Sequence, residues 1–393
     1  MQTNYKEYIE IFLVILFLLF LFCYSFHRKD GLPTKWPVIG MLPALLKNQH
    51  RIHDYTVEVL EKTKLTFLLE GPWFTNMKLL GTVDPANVHH ILSKNFGNYP
   101  RGSKFKEISE VLAMGFLLRT QKCGNIIERW LKLLFLVEKV WEKIESGLIP
   151  FLDHASDKRM EIHLQDLFGR FLFDTISTVV MGHDPGSLSI DLPNLPFLKA
   201  LHDFEESKAC KVGYGLGVGL MTIYIDQVRK SAEIGSNGDK FLRDTILAFL
   251  AAGRVCEALR LHPPVPFNIK VPIEPDTLPS GHKVDSSMQI IFNMYAMGRM
   301  RSLWGEDCYE FKPERWILET GKIRHVPSHQ FLAFSTGPRT CVGKHMALTM
   351  IKAVAIAIIS RYHIEPVQTH PVVPENSMVL YMKQGLKVKV AAY

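Results

Sequence analysis

The sequence has no C-x-x-C pair and no dense block of lysine and arginine. Its 393 residues hold six cysteines, Cys23, Cys123, Cys210, Cys256, Cys308 and Cys341. So sparse a set argues against a disulfide framework and fits a reducing compartment. Without a basic block, nucleic acid is not an expected partner, and the net charge of +7 is spread along the chain. A mild basic excess suits a membrane surface, an acidic protein partner or an ordinary solvated exterior. Polar tracts are few, which argues against disorder, and there is no internal repeat or low-complexity tract. What is present is apolar. A content of 47% hydrophobic and 11% aromatic residues can bury a large core, as one big domain or two smaller ones.

Residues Ile11 to Phe26 read IFLVILFLLFLFCYSF, without a charge. With Tyr8 and Ile9 the run approaches the length of a bilayer span, interrupted by Glu10. His27, Arg28 and Lys29 follow at once, and positive charge after a span keeps the bulk of a chain in the cytoplasm. A cleaved signal peptide would want a shorter apolar core and small residues at its cleavage site, which Tyr24-Ser25-Phe26 does not supply. The sequence thus predicts a membrane anchor and linker over 1–30 and a main domain over 31–393.

Helical patterns cover His50 to Glu61, Pro85 to Leu92, Leu164 to Val180 and Lys240 to Ala252. Thr66 to Gly71 and Asn76 to Thr82 read as short strands with a turn between them. Proline and glycine punctuate Pro263 to Met294, where short apolar runs such as Gln289 to Asn293 predict a small sheet. Lys344 to Ser360 is apolar nearly all round and predicts a buried helix. The expected fold is mainly α with a minor β part. His50, His53, His89, His90 and His163 read as surface or capping histidines rather than metal ligands. Lys211 to Gly219 holds too many glycines for a stable helix. It lacks the preceding strand and the following Lys-Ser/Thr of a nucleotide loop.

The stretch Phe334-Ser-Thr-Gly337-Pro-Arg339-Thr-Cys341-Val-Gly343 resembles F-x-x-G-x-R-x-C-x-G, the haem-ligand loop of the cytochromes P450. Each fixed residue type suits that role. Cys341 can bind iron as a thiolate and push electron density onto it. The dipole of the following helix lowers a thiol pKa there. Gly337 and Gly343 let the backbone bend and approach a flat macrocycle. Arg339 can pair with a haem propionate, and Phe334 can shield the sulfur. Glu257-Ala-Leu-Arg260 and Pro313-Glu-Arg315-Trp316 resemble two further elements of the family, in the same order. Glu257 and Arg260 share a helix face, and Arg315 could complete a buried cluster with them.

The likeness extends to Trp36-Pro-Val-Ile-Gly40, Tyr99-Pro-Arg-Gly102, Tyr295 to Arg301 and Trp304-Gly-Glu-Asp307. These resemble plant P450s that hydroxylate fatty acids and alkanes, above all the mid-chain alkane hydroxylase group. The resemblance covers most of 31–112, 137–206, 239–254 and 255–390. It implies haem b, O2, NADPH-cytochrome P450 reductase, the endoplasmic reticulum membrane and a long-chain aliphatic substrate.

Three departures make the fold an incomplete one. After Ala252-Gly253-Arg254 the family's acid and alcohol are absent, and Val255-Cys256-Glu257 already begins the E-x-x-R helix. One short peptide cannot easily place Gly253 over a haem and Glu257 in the cluster beneath it, so one of the two placements is expected to fail. Residues 113–136 lack the family's Trp-x-x-x-Arg helix, although a reading one base out of phase can decode to it. A frame-shifted exon, an error in the gene structure or a divergent helix each explains that. Residues 207–238, where a substrate-access lid is expected, are shortened or scrambled. Three functions follow: a haem-thiolate monooxygenase, a non-catalytic truncated product of the same gene family, or a hydroperoxide-rearranging P450 independent of O2.

Overall fold

The structure is a computed structural model that describes residues 8–18, 32–102, 126–193, 255–320, 322–341, 343–373, 380 and 382–393. Its helices are α1 (8–18), α2 (Leu42–Lys47), α3 (Ile52–Lys62), α4 (Pro85–His89), α5 (Ile126–Lys143) and α6 (Ile149–Asp157). They continue with α7 (Leu164–Met181), α8 (255–261), α9 (Met294–Met297), α10 (Arg301–Trp304) and α11 (Lys344–Ile359). Local chemistry sets several ends. Asp84 accepts a hydrogen bond from the Ala86 amide at 2.8 Å while Pro85 opens α4, a side-chain cap before a proline preset for the first turn. Gly182, at φ +71°, closes α7 in the left-handed region.

The strands are β1 (Thr66–Glu70), β2 (Lys78–Thr82), β3 (Glu161–His163), β4 (Phe267–Lys270), β5 (Asp276–Thr277), β6 (Lys283–Val284), β7 (Met288–Asn293), β8 (Tyr362–Pro366) and β9 (Lys387–Ala392). One sheet runs β1-β2-β7-β4, a second β3-β9-β8, and β5-β6 form a small ladder. Only β2 with β7 is parallel, Lys78 opposite Met288 through Thr82 opposite Phe292. The predicted strands and small sheet are therefore present, and so are the predicted helices outside Lys240 to Ala252. That last stretch lies outside the described residues.

Among the described residues no helix is long and apolar enough to cross a membrane. Helix α1 is described over residues 8–18, a length that rises about 16 Å against a hydrocarbon core of about 30 Å. This corrects the expected single-pass anchor and the endoplasmic-reticulum placement that rested on it. Residues 19–26 of the apolar run lie outside the described residues.

The core has two parts. One is helical, where Val140, Leu152, Phe168 and Phe171 pack with Ile351 and Val354 of α11 and Val388 of β9. The other lies on the larger sheet, where Val57, Leu60, Leu80, Ile91, Ile290 and Phe292 meet. The segment before Cys341 joins them. Phe331, Ala333 and Phe334 pack on the helical part, and Leu332 is buried in the sheet part. Helix α11 departs from the expected all-round burial. Its buried residues begin at Met350, and its first turns are only partly covered where they meet the Cys341 loop.

Candidate active site

The cysteine loop is folded by its own backbone. The Ser335 amide donates to Leu332 O at 2.9 Å, and the Cys341 amide to Phe334 O at 2.7 Å. Thr340 returns both its amide and its hydroxyl to Gly337 O, at 3.1 and 2.7 Å. Ser335 (φ +61°) and Gly337 (φ +67°) turn the chain through the left-handed region. Gly337 has a second reason to be glycine, because a Cβ would lie 2.1 Å from Leu92 O. Gly343 does not share these constraints. Its φ is −78°, and a Cβ would meet only the Cys341 sulfur, at 3.8 Å. The bend argument therefore holds for Gly337, and close approach of a flat ring is what remains for Gly343. Gly343 caps α11, so Cys341 stands just before a helix N-terminus. Cys341 is exposed and carries a free thiol. Phe334 is half-buried, with the Lys344 ammonium 5.8 Å from its ring centre.

Arg339, exposed on this loop, influences two other cations that sequence reasoning did not single out. Burial, then the Arg101 and Arg339 charges, push the Lys270 ammonium down to about 8. Lys270 is 2% exposed at the end of β4. Burial and Arg339 likewise lower Arg101. Pairing of the Val271 amide with Pro100 O at 3.0 Å sets residues 101 and 270 side by side. For Arg101 a signal existed in the Tyr99-Pro-Arg-Gly stretch, whereas the burial of Lys270 at the end of β4 is seen in the structure alone.

The structure brings Glu257, Arg260 and Arg315 together. Arg260 donates Nε to Glu257 Oε2 at 2.7 Å and Nη2 to Oε1 at 2.6 Å. Arg315 Nε reaches Glu257 Oε1 at 3.4 Å, the Lys312 amide donates to it at 2.9 Å and Trp316 Nε1 donates to Oε2 at 2.8 Å. Arg260 also donates to the carbonyls of Gly298, Cys308 and Glu310. Of the two placements set in opposition by the sequence, that of Glu257 in the cluster is met, and Gly253 lies outside the described residues. Burial pushes the thiol of its neighbour Cys256 up to about 11.

The departures over 113–125, 207–238 and 252–254 also lie outside the described residues, while 126–136 form the start of α5. His53 corrects the reading of surface histidines. It is 5% exposed, with neither ring nitrogen hydrogen-bonded. His89 and His90 diverge as expected, toward His329 and Asp276. Among the described residues no group of three or more His, Cys, Asp or Glu could hold a metal ion.

This donor set fits haem. An exposed thiol before a helix N-terminus suits a haem iron. Three cations around the same loop suit the carboxylates at one edge of the macrocycle. The two cations that crowd Lys270 make its burial costly without an anion.

The chain matches the sequence model of the family described as Cytochrome P450 over residues 251–390. It is 38% identical to alkane hydroxylase MAH1 of Arabidopsis thaliana, covering 96% of this chain and 97% of that protein. It is 32% identical to noroxomaritidine synthase 2 of Narcissus pseudonarcissus, over 92% and 91%. It is 28% identical to cytochrome P450 86B1 of Arabidopsis thaliana, over 96% and 89%. The first alignment runs 483 positions against 393 residues, so at least 90 positions face gaps in this chain. Matched over nearly its whole length at 38% identity, and carrying an exposed cysteine on a glycine-turned loop, the chain belongs to the cytochrome P450 family.

Proposed function

We propose that this chain is a haem-thiolate monooxygenase that hydroxylates long-chain aliphatic substrates, fatty acids or alkanes. The observation that carries the reading is the exposed Cys341, held before α11 on the same loop as Arg339, whose charge Lys270 and Arg101 both feel. Cys341 would hold the iron, and Arg101, Lys270 and Arg339 the carboxylates of haem b. Bound there, haem b supplies the dioxygen chemistry that puts oxygen into a C–H bond, with electrons from NADPH through NADPH-cytochrome P450 reductase. Cys341 stands just before the N-terminus of α11. Phe334 covers one flank of the loop against the helical core, which limits water there. The Glu257–Arg260–Arg315 cluster ties the segment from Trp304 to Trp316 onto α8. The aliphatic substrate is supported by the relative named an alkane hydroxylase.

A second reading, a non-catalytic product of the same gene family, is favoured by two observations. The alignment gaps, at least 90 positions, leave this chain shorter than its relative, and no acid–alcohol pair follows Gly253. One experiment separates the two. The purified chain is loaded with haemin, reduced and exposed to carbon monoxide, then assayed with reductase, NADPH and a long-chain fatty acid or alkane. A thiolate-type Soret band with hydroxylated product supports the first reading. Haem capture without product supports the second. No retained haem defeats the first. Cys341→Ser should abolish the thiolate band in either case.

A further inference from the structure

Arg101 is not carried by a regular element. It sits on a strap, residues 98–102, that leaves the short helical turn Phe96–Asn98 and is laid along 271–276. The strap is zipped by backbone bonds from Val271 to Pro100 O at 3.0 Å and from Ile273 to Asn98 O at 2.9 Å. Asn98 adds three bonds, accepting from the amides of Ile273 and Glu274 at 3.2 and 2.8 Å and donating to Glu274 O at 3.1 Å. At the root of the strap is Asp276. One oxygen, Oδ2, accepts from Tyr99 OH at 2.6 Å, His90 Nε2 at 2.8 Å and Asn95 Nδ2 at 3.0 Å, while Oδ1 accepts from the Thr277 amide at 2.7 Å. Tyr99, adjacent to Pro100, is itself buried in the sheet core.

So many partners on one carboxylate call for an explanation, and the cations supply one. Arg101, Lys270 and Arg339 repel one another. Arg101 is carried by the strap, so its place depends on how the strap is held. Hydrogen bonds to an ionised carboxylate are the strong kind, and here they fasten the segment that keeps Arg101 against that repulsion.

We propose that Asp276, through Tyr99, His90 and Asn95, is a positioning residue for the cofactor: it pins the 98–102 strap so that Arg101 stays beside Lys270 and Arg339 for the carboxylates of haem. This rests on the haem reading above. Asp276 would act through the strap, its partners being His90, Asn95, Tyr99 and Thr277. Its effect is on recognition of the acidic edge and not of the ring or the iron.

The test compares two probes on the full chain, haemin and haemin dimethyl ester, whose carboxylates are masked. The rate of transfer to an excess of apomyoglobin is measured for the unmodified chain, Asp276→Asn and Tyr99→Phe. The expected result is haemin loss about tenfold faster in Asp276→Asn and about threefold faster in Tyr99→Phe, with the ester lost at an unchanged rate. A merely structural role would speed both probes equally, and that outcome, or no change for haemin, overturns the proposal. If circular dichroism shows that Asp276→Asn does not fold, Tyr99→Phe decides alone, since it keeps the buried ring and removes only the hydroxyl. An unmodified chain that retains neither probe defeats the haem reading, and the proposal with it. Unmodified retention with unaltered variants defeats only the proposal.

Discussion

Arg260 grips Glu257 with two parallel bonds, 2.7 and 2.6 Å, between side chains with no solvent exposure. Removing the acid leaves the guanidinium buried with only neutral carbonyls. Glu257→Gln is expected to cost about 3–5 kcal/mol of folding stability. The exposed pair Arg51–Glu58 is a control, since Glu58→Gln should leave stability nearly unchanged. Urea unfolding of the two variants checks both. Burial alone would raise the Glu257 carboxyl, but the bonds and charge of Arg260 outweigh it and hold it below the usual range. Its contribution is therefore complete above the unfolded carboxylate value of about 4.3 and is lost as pH falls through the depressed folded value.

His53 and His262 make a second acid-sensitive pair by a different route. Burial lowers both imidazoles to about 4, and the Arg299 charge opposes protonation of each. The unfolded chain takes up these protons near pH 6.5 and the folded chain does not. Stability should fall as pH drops from about 6.5 to about 4 and then level off for these groups, by up to about 3 kcal/mol each. The ring of His53 stacks on Phe267 at 5.1 Å between centres, so His53→Phe keeps the packing. The variant should match or exceed the unmodified chain in melting temperature at pH 7, and lose less between pH 7 and pH 5.

Lys270 illustrates stability yielded to binding. Its ammonium, lowered to about 8, is held in a buried place against two guanidinium groups. That penalty is complete below about pH 8 and is relieved as pH rises toward the unfolded value of about 10.5. Lys270→Met should therefore stabilise the haem-free chain at pH 7 by about 1–3 kcal/mol. The same variant should release haemin faster, because it takes one cation from the acidic edge. A gain in both properties would argue against the cations as a carboxylate cradle.

The two loop glycines separate cleanly. Gly337→Ala meets a positive φ and a backbone oxygen 2.1 Å from the new Cβ. It should cost more than about 2 kcal/mol even without haem. Gly343→Ala meets an ordinary contact at 3.8 Å and should change haem-free stability by less than about 1 kcal/mol. Differential scanning calorimetry of the haem-free variants distinguishes them.

What the sequence made legible was local. The cysteine loop is closed by bonds between residues a few places apart, such as Cys341 to Phe334, so its residue types carry its shape. Glu257 and Arg260 sit one helical turn apart, and their pairing follows from the period of a helix. The cation cluster was not legible because residues 101 and 270 meet only through a pairing between Pro100 and Val271. The burial of His53 was hidden for the same reason. It depends on where Phe267 and Tyr295 arrive, more than two hundred residues along the chain. The anchor was expected from an apolar run, and among the described residues no helix is long and apolar enough to cross a membrane.

The parallel register of β2 against β7 has a temporal consequence. Lys78 waits for Met288, 210 positions later in the chain (288 less 78). At about 5–20 residues per second of synthesis, the β1–β2 hairpin leaves the ribosome about 10–40 s before its neighbour exists. Through that interval one edge of β2 is unpaired and open to other chains. The newborn protein therefore passes through a period in which chaperone supply governs yield, and slower translation should lower the soluble fraction.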